Sequence, residues 1–231
     1  MRDTRTSAAR VAVRTLGELM ITMGLVLLLF VAYQLVWTNV AADRNQARVS
    51  NSLRQEWSRE GGSQSPGGTI KLSKSDFGKG FAFLHIPRLG RKYSVPVVQG
   101  VSLPDLSRGV GHYPTSALPG EVGNFAVAGH RATHGQPFAY LDQVKVGDSL
   151  VVETRTTWFT YVVDKTQIVP PSAVWVIEPV PGKPNVTPTR QLITLTTCNP
   201  RWASTARLIV FGHLTATQPT AAGRPAALKG H

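Results

Sequence analysis

The stretch QLITLTTCNPRWASTARLIVFGHL, residues 191–214, decides the fold. Read as a strand, its first part puts Ile193, Leu195 and Thr197 on one face. Leu192, Thr194, Thr196 and Cys198 fall on the other, more polar face, because successive side chains in a strand point to opposite sides. Asn199-Pro200 then stops the strand, since proline has no N–H to give to a ladder. A second apolar run, ARLIVFGHL, follows after a loop of roughly six to eight residues. If the two strands pair antiparallel, the end of the first lies about 5 Å from the start of the second. That pairing would bring Cys198 beside Arg207 on a rim.

Working outward, further strands are expected near 81–86, 92–98, 124–130, 149–153 and 158–168, each set off by Pro and Gly. Helical periodicity is confined to a turn or two near 103–110 and 137–142. Many short strands with few helices predict a mainly β domain over 81–216, either an antiparallel sandwich or a closed barrel. About 135 residues suffice to bury one core. The sequence shows no internal repeat. The tail 217–231, TQPTAAGRPAALKGH, is rich in Pro, Ala and Gly and is expected to be disordered.

Ahead of the domain, residues 19–42 carry no charge. As a helix they would be about 36 Å long, enough to cross a hydrocarbon core of about 30 Å. Tyr33 and Trp37 lie near the end of this stretch, where amphipathic rings favour the interface. Arg2, Arg5, Arg10 and Arg14 precede it, so residues 1–18 are expected to stay cytoplasmic and the rest to be exported. A cleaved signal peptide has a shorter apolar region, although Val40–Ala41–Ala42 offers a small-residue cleavage site. Residues 43–80 read as a linker, with a polar first part that could continue the helix and a Gly/Ser/Lys-rich second part.

The chain of 231 residues has 25 Lys and Arg against 13 Asp and Glu, a net charge of +12. The excess is spread over the anchor region, the domain and the tail, with no run of five or more basic residues. Such a distribution suits an anionic membrane or cell wall and argues against nucleic-acid binding. One cysteine excludes an intrachain disulfide and any multi-cysteine metal site.

A lone thiol on the oxidising side of a membrane needs an explanation, and a strand end is where catalytic groups tend to be mounted. A thiol nucleophile needs a histidine partner. Of six histidines, His130, at the end of NFAVAGH, is the first candidate by position and His112 the second. Arg207 could hold a developing oxyanion, or could be a solvated edge residue. No Walker loop, dinucleotide-binding glycine fingerprint, HExxH or paired-carboxylate spacing is present.

The stretch TLTTC, Thr194 to Cys198, followed by Arg207, resembles the signature of sortases, the membrane-anchored cysteine transpeptidases of Gram-positive bacteria. The segment GHYPTSALPGEVGNFAVAGHRATHGQPFAYL at 111–141 is similar to theirs, and His130 lies 68 residues before Cys198. The resemblance implies a closed eight-stranded sortase-type β-barrel with short helices behind one transmembrane helix. It implies that Cys198 attacks the Thr–Gly carbonyl of an exported protein's C-terminal sorting signal. His130 would protonate the leaving amine and later deprotonate the incoming one, and Arg207 would stabilise the oxyanion. The acceptor would be an amine of a peptidoglycan precursor. The texture is similar to class E sortases, associated with LAXTG-type signals in place of LPXTG. With only Asp76-Phe77 in the linker, no pilin-type lid is expected. With only Glu178 in 170–190, neither a metal nor a cofactor is expected. Thr196, Thr197, His112 and Tyr113 are expected in the substrate groove. A hydrolytic thiol peptidase and a membrane-tethered binding module with an inert thiol remain the competing readings.

Overall fold

The computed structural model describes residues 3–59, 72 and 76–229. Most of the Gly/Ser/Lys-rich part of the linker lies outside these residues, as do the ends of the chain. A single helix, α1 (Asp3–Arg59), contains the uncharged stretch and runs on through the first part of the linker. Among the described residues it is the one helix long and apolar enough to cross a membrane.

Eight strands follow: β1 (Gly80–His85), β2 (Val95–Gln99), β3 (Val110–His112), β4 (Gly123–Ala128), β5 (Ser149–Glu153), β6 (Thr157–Val169), β7 (Gln191–Asn199) and β8 (Ala206–Pro219). They close into a barrel in the order β1-β2-β3-β4-β7-β8-β6-β5. The ladder is antiparallel except for β2 with β3 and β4 with β7, which run parallel. Leu84, Val97, Phe125, Leu150, Tyr161 and Ile193 are fully buried and fill the interior. A second apolar cluster of Val169, Val176, Ile209 and Phe211 lies on the outer face. There Asn124 Nδ2 donates to the carbonyls of Val176 (3.1 Å) and Glu178 (3.0 Å), pinning the β6–β7 connection over the sheet.

Several elements differ from the sequence expectation. Strand β3, absent from it, is only three residues long and includes a glycine, so neither alternation nor β-propensity marks it. Its Gly111 is required by contact, because a Cβ there would overlap the backbone carbonyl oxygen of Gly100. Helix α2 is reduced to Leu103–Leu106, started by a capping box between Ser102 and Asp105. The second expected helical turn is a 3-10 turn at Leu141–Gln143. The tail is not disordered over its described part: β8 extends to Pro219, 3-10 turns follow at Thr220–Ala222 and Ala226–Leu228, and Pro225 is buried. Residues 217–219 continue the ladder with Thr157, Trp158 and Phe159, which compensates for the poor propensity of the sequence.

The second part of α1 packs against the barrel. Leu53 is buried, and Val49 and Leu53 lie over Gly80. Arg54 donates two hydrogen bonds to Glu153 (2.5 and 2.6 Å), and His85 Nε2 lies 2.9 Å from the same carboxylate. Burial opposes ionisation of Glu153, but the hydrogen bonds and charges of His85 and Arg54 outweigh it. The carboxyl is therefore held below its usual range. Gly111→Ala should lower the unfolding free energy of the full chain by about 1–3 kcal/mol, the range for overpacking, and the denaturant midpoint with it. Denaturant titration checks this, and an unchanged midpoint would contradict the contact.

Candidate active site at the ends of β4, β7 and β8

Alternation along β7 works as the sequence predicts. Ile193 and Leu195 point into the core, while Thr194 and Thr196 lie on the outer face with Cys198. Cys198 is half-buried and in no disulfide. In the β7–β8 ladder its partner is Arg207, so the two side chains leave the sheet on the same face with Cβ atoms about 5 Å apart. The Arg207 guanidinium donates through Nη1 to the carbonyls of Ser204 (3.0 Å) and Ala206 (2.9 Å), which fixes it at the head of β8.

On the other side of β7 runs β4. Their last ladder pair is Ala128 with Thr196. The pairing continues one step further, with Gly129 N donating to Thr196 O (3.1 Å) and Thr197 Oγ1 to Gly129 O (2.8 Å). His130 therefore follows alongside Cys198, on the flank opposite Arg207. Gly129 permits this path, because the Phe138 ring occupies the space a Cβ would need. The strand itself ends at Ala128, two residues short of the expected end at His130.

The His130 ring stacks on His134 (centroids 4.6 Å apart, planes 23° apart). Its Nε2 is buried and has no hydrogen-bond partner among the described residues. Such an atom costs stability unless a ligand or reacting group completes it. Burial, aided by the neighbouring His134, pushes the His130 pKa down to about 4, so the imidazole is neutral at physiological pH.

Two expected groove residues sit elsewhere. His112 points into the barrel, stacked on Phe125 and 2% exposed. Its Nδ1 meets Gln99 Oε1 (2.7 Å) and its Nε2 meets Ser116 Oγ (2.9 Å) and the Ala117 carbonyl (3.1 Å). Burial holds its pKa near 4 as well. Thr197 faces inward with Ile193 and Leu195, and its hydroxyl is spent on Gly129. Thr196 and Tyr113 do meet on the outer side, with Oγ1 and Oη 3.4 Å apart.

One residue with a direct bearing on the site was not singled out from the sequence. Arg131, buried and adjacent to His130, donates through Nη1 to the Cys198 carbonyl (3.3 Å) and to Asn199 Oδ1, and its Nη2 pairs with Asp142 (3.0 Å). It ties the strand end that carries the thiol to the loop that carries the imidazole. The only signal in the sequence is its place in AGHR. Among the described residues, no three His, Cys, Asp or Glu side chains converge as metal ligands.

An NMR titration of the His130 ring should give a midpoint near pH 4. In His134→Gln the midpoint should rise, because a like charge that disfavours the imidazolium is gone. An unperturbed midpoint near 6.5 in the parent chain would contradict the desolvated environment.

Residues 84–215 match the Sortase domain family. The chain is 41% identical over 98% of its length to Sortase SrtE1 of Streptomyces coelicolor, of which it spans 64%. It is 38% identical over 90% of its length to Sortase SrtE2 of the same organism, spanning 83% of that protein. Among solved structures it is similar to sortase E from Streptomyces avermitilis, with 46% identity, a TM-score of 0.61 and coverage of 66% of this chain and 98% of that one. It is also similar to Sortase E1 from Streptomyces coelicolor with a tripeptide in the active site, with 41% identity, a TM-score of 0.60 and coverage of 65% and 97%. A closed eight-stranded barrel, a half-buried thiol at the end of β7 and these likenesses agree: the chain belongs to the sortase family of cysteine transpeptidases.

Proposed function

We propose that this chain is a membrane-anchored sortase that joins exported proteins to an amine of a peptidoglycan precursor, with Cys198 as nucleophile, His130 as general acid and base, and Arg207 as oxyanion stabiliser. The observation that carries the reading is the row formed by His130, two residues past the end of β4, Cys198 on β7 and Arg207 on β8. In the first step Sγ attacks the Thr–Gly carbonyl of the sorting signal and its proton passes to His130, which is neutral and able to accept it. The carbonyl oxygen gains negative charge, which the Arg207 guanidinium offsets at any working pH. Collapse of the tetrahedral centre breaks the C–N bond, and His130 returns the proton to the leaving glycine amine. The thioester is then attacked by the incoming amine, whose proton His130 takes and delivers to the departing thiolate. Arg131 acts as a positioning residue that holds the thiol-bearing strand end against the histidine loop.

We further propose that Tyr113 and Thr196 line the peptide groove and that the signal is of the LAXTG type, the reading suggested by the similarity to E sortases. In the same reading α1 spans the membrane through 19–42, with residues 1–18 cytoplasmic and the barrel outside. The +12 charge of the chain suits the anionic surface on which it would work.

The test is product identity. Incubated with a signal peptide and triglycine, the chain should form the amide with triglycine, and Cys198→Ala should form none. Arg207→Lys should lose about 10²-fold or more in kcat/KM, since an ammonium does not reproduce the planar fork. Acid product alone at every triglycine concentration would make the chain a hydrolase, and near-parent turnover by Arg207→Ala would remove the oxyanion role.

A further inference from the structure

We infer that the loop end of the barrel beside the active site rests on the headgroup layer of the membrane that α1 crosses, through Tyr140, Arg201 and Trp202. The inference rests on the reading of 19–42 as a membrane span and adds to it an orientation for the catalytic domain.

The loop that follows His130 touches α1 where the uncharged stretch ends. Gly135 N donates to Asn39 Oδ1 (3.1 Å), and Gln46 Nε2 donates to the His134 carbonyl (3.4 Å). A Cβ on Gly135 would overlap the Gln46 side chain and press on Asp43. At 1.5 Å per residue, Asn39 lies about 4–5 Å before residue 42 along the axis and Gln46 about 6 Å beyond it. The loop therefore brackets the point where α1 leaves the hydrocarbon. Further along, Arg54 grips Glu153 and lies 4.1 Å from the Phe83 ring centroid, which Trp57 meets edge-on at 5.4 Å. Two separate attachments along one helix fix the tilt of the barrel, with the His130 loop at the membrane-proximal attachment.

From that loop the contacts lead to two exposed rings that flank the half-buried Arg201. Gln136 Oε1 accepts from Arg201 Nη2 (2.7 Å). The Arg201 guanidinium lies 4.9 Å from the Tyr140 ring and 5.2 Å from the Trp202 ring. Tyr140 is 53% exposed and Trp202 72%. Large exposed aromatics interleaved with a cation match the headgroup region, where amphipathic rings partition and a guanidinium meets lipid phosphate. Arg201 is three residues from Cys198, so the site would open at the surface of the leaflet and meet polypeptides still held there.

The experiment uses the full chain in the Cys198→Ala background, reconstituted into phosphatidylcholine–phosphatidylglycerol vesicles that contain a headgroup-region nitroxide lipid. A fluorophore is placed on Trp202→Cys, on Tyr140→Cys and on Val122→Cys, the last exposed just before the start of β4, at the far end of that strand from His130. Carbonate extraction reports separately whether the chain is integral to the bilayer. Quenching should be several-fold stronger at positions 202 and 140 than at 122, in carbonate-resistant protein. Equal, weak quenching at all three positions in carbonate-resistant protein would overturn the membrane contact and leave the anchor standing. Release by carbonate would overturn the anchor and the contact with it.

Discussion

Strands β4 and β7 run parallel through six residue pairs, from Gly123–Gln191 to Ala128–Thr196, and the chemistry depends on where that pairing stops. The side-chain period of a strand is two, so a slip of one residue would turn Cys198 into the core and Thr197 out to solvent. The register is held at the critical end by the Thr197 hydroxyl on the Gly129 carbonyl and by the Arg131 guanidinium on the Cys198 carbonyl. It is held at mid-strand by Thr194, which donates to Asn124 (2.8 Å). Polar residues of the TLTTC run thus serve two ends: inward or lateral hydroxyls fix the ladder, and the thiol stands free on the face that remains.

A parallel pair needs a long crossover, and here β5 and β6 occupy it. Its return segment lies over the outer face of β7 and β8, anchored by Asn124 and the small cluster around Phe211. This covers the middle of the sheet and leaves the strand ends uncovered. The same architecture desolvates His130. Its neutral imidazole, and an Nε2 without a partner among the described residues, are consequences of packing the AGHR turn against Phe138 and His134, and they leave that nitrogen open for the proton transfers proposed for it.

Much of this was legible in the residues. Alternation in 191–198, the Asn-Pro stop and a short loop to ARLIVFGHL were enough to pair Cys198 with Arg207, because those constraints are local. The place of His130 beside them depends on a parallel pairing distant in sequence; its position at the end of NFAVAGH made it the first candidate, and the resemblance agreed, but neither gave the pairing. Strand β3 escaped notice because three residues carry no period. His112 was misplaced because a polar residue in a loop-like context reads as surface, whereas the barrel satisfies both its nitrogens internally. Thr197 was expected in the groove for its nearness to the nucleophile, against the alternation that sends it inward. The docking of α1 was invisible because its contact residues, Asn39, Gln46 and Arg54, are scattered polar positions on a helix whose dominant signal is apolar.

The proposed chemistry requires Cys198 to form a covalent bond with the acyl half of its substrate. Intact-mass spectrometry of the full chain, mixed with a signal peptide while the acceptor amine is withheld, tests this most directly. The predicted result is a mass increase equal to the peptide fragment ending in threonine less one water, assigned to Cys198 by fragmentation and discharged by added triglycine. Peptide turnover with no adduct under rapid quenching, or an adduct on any other residue, would contradict it.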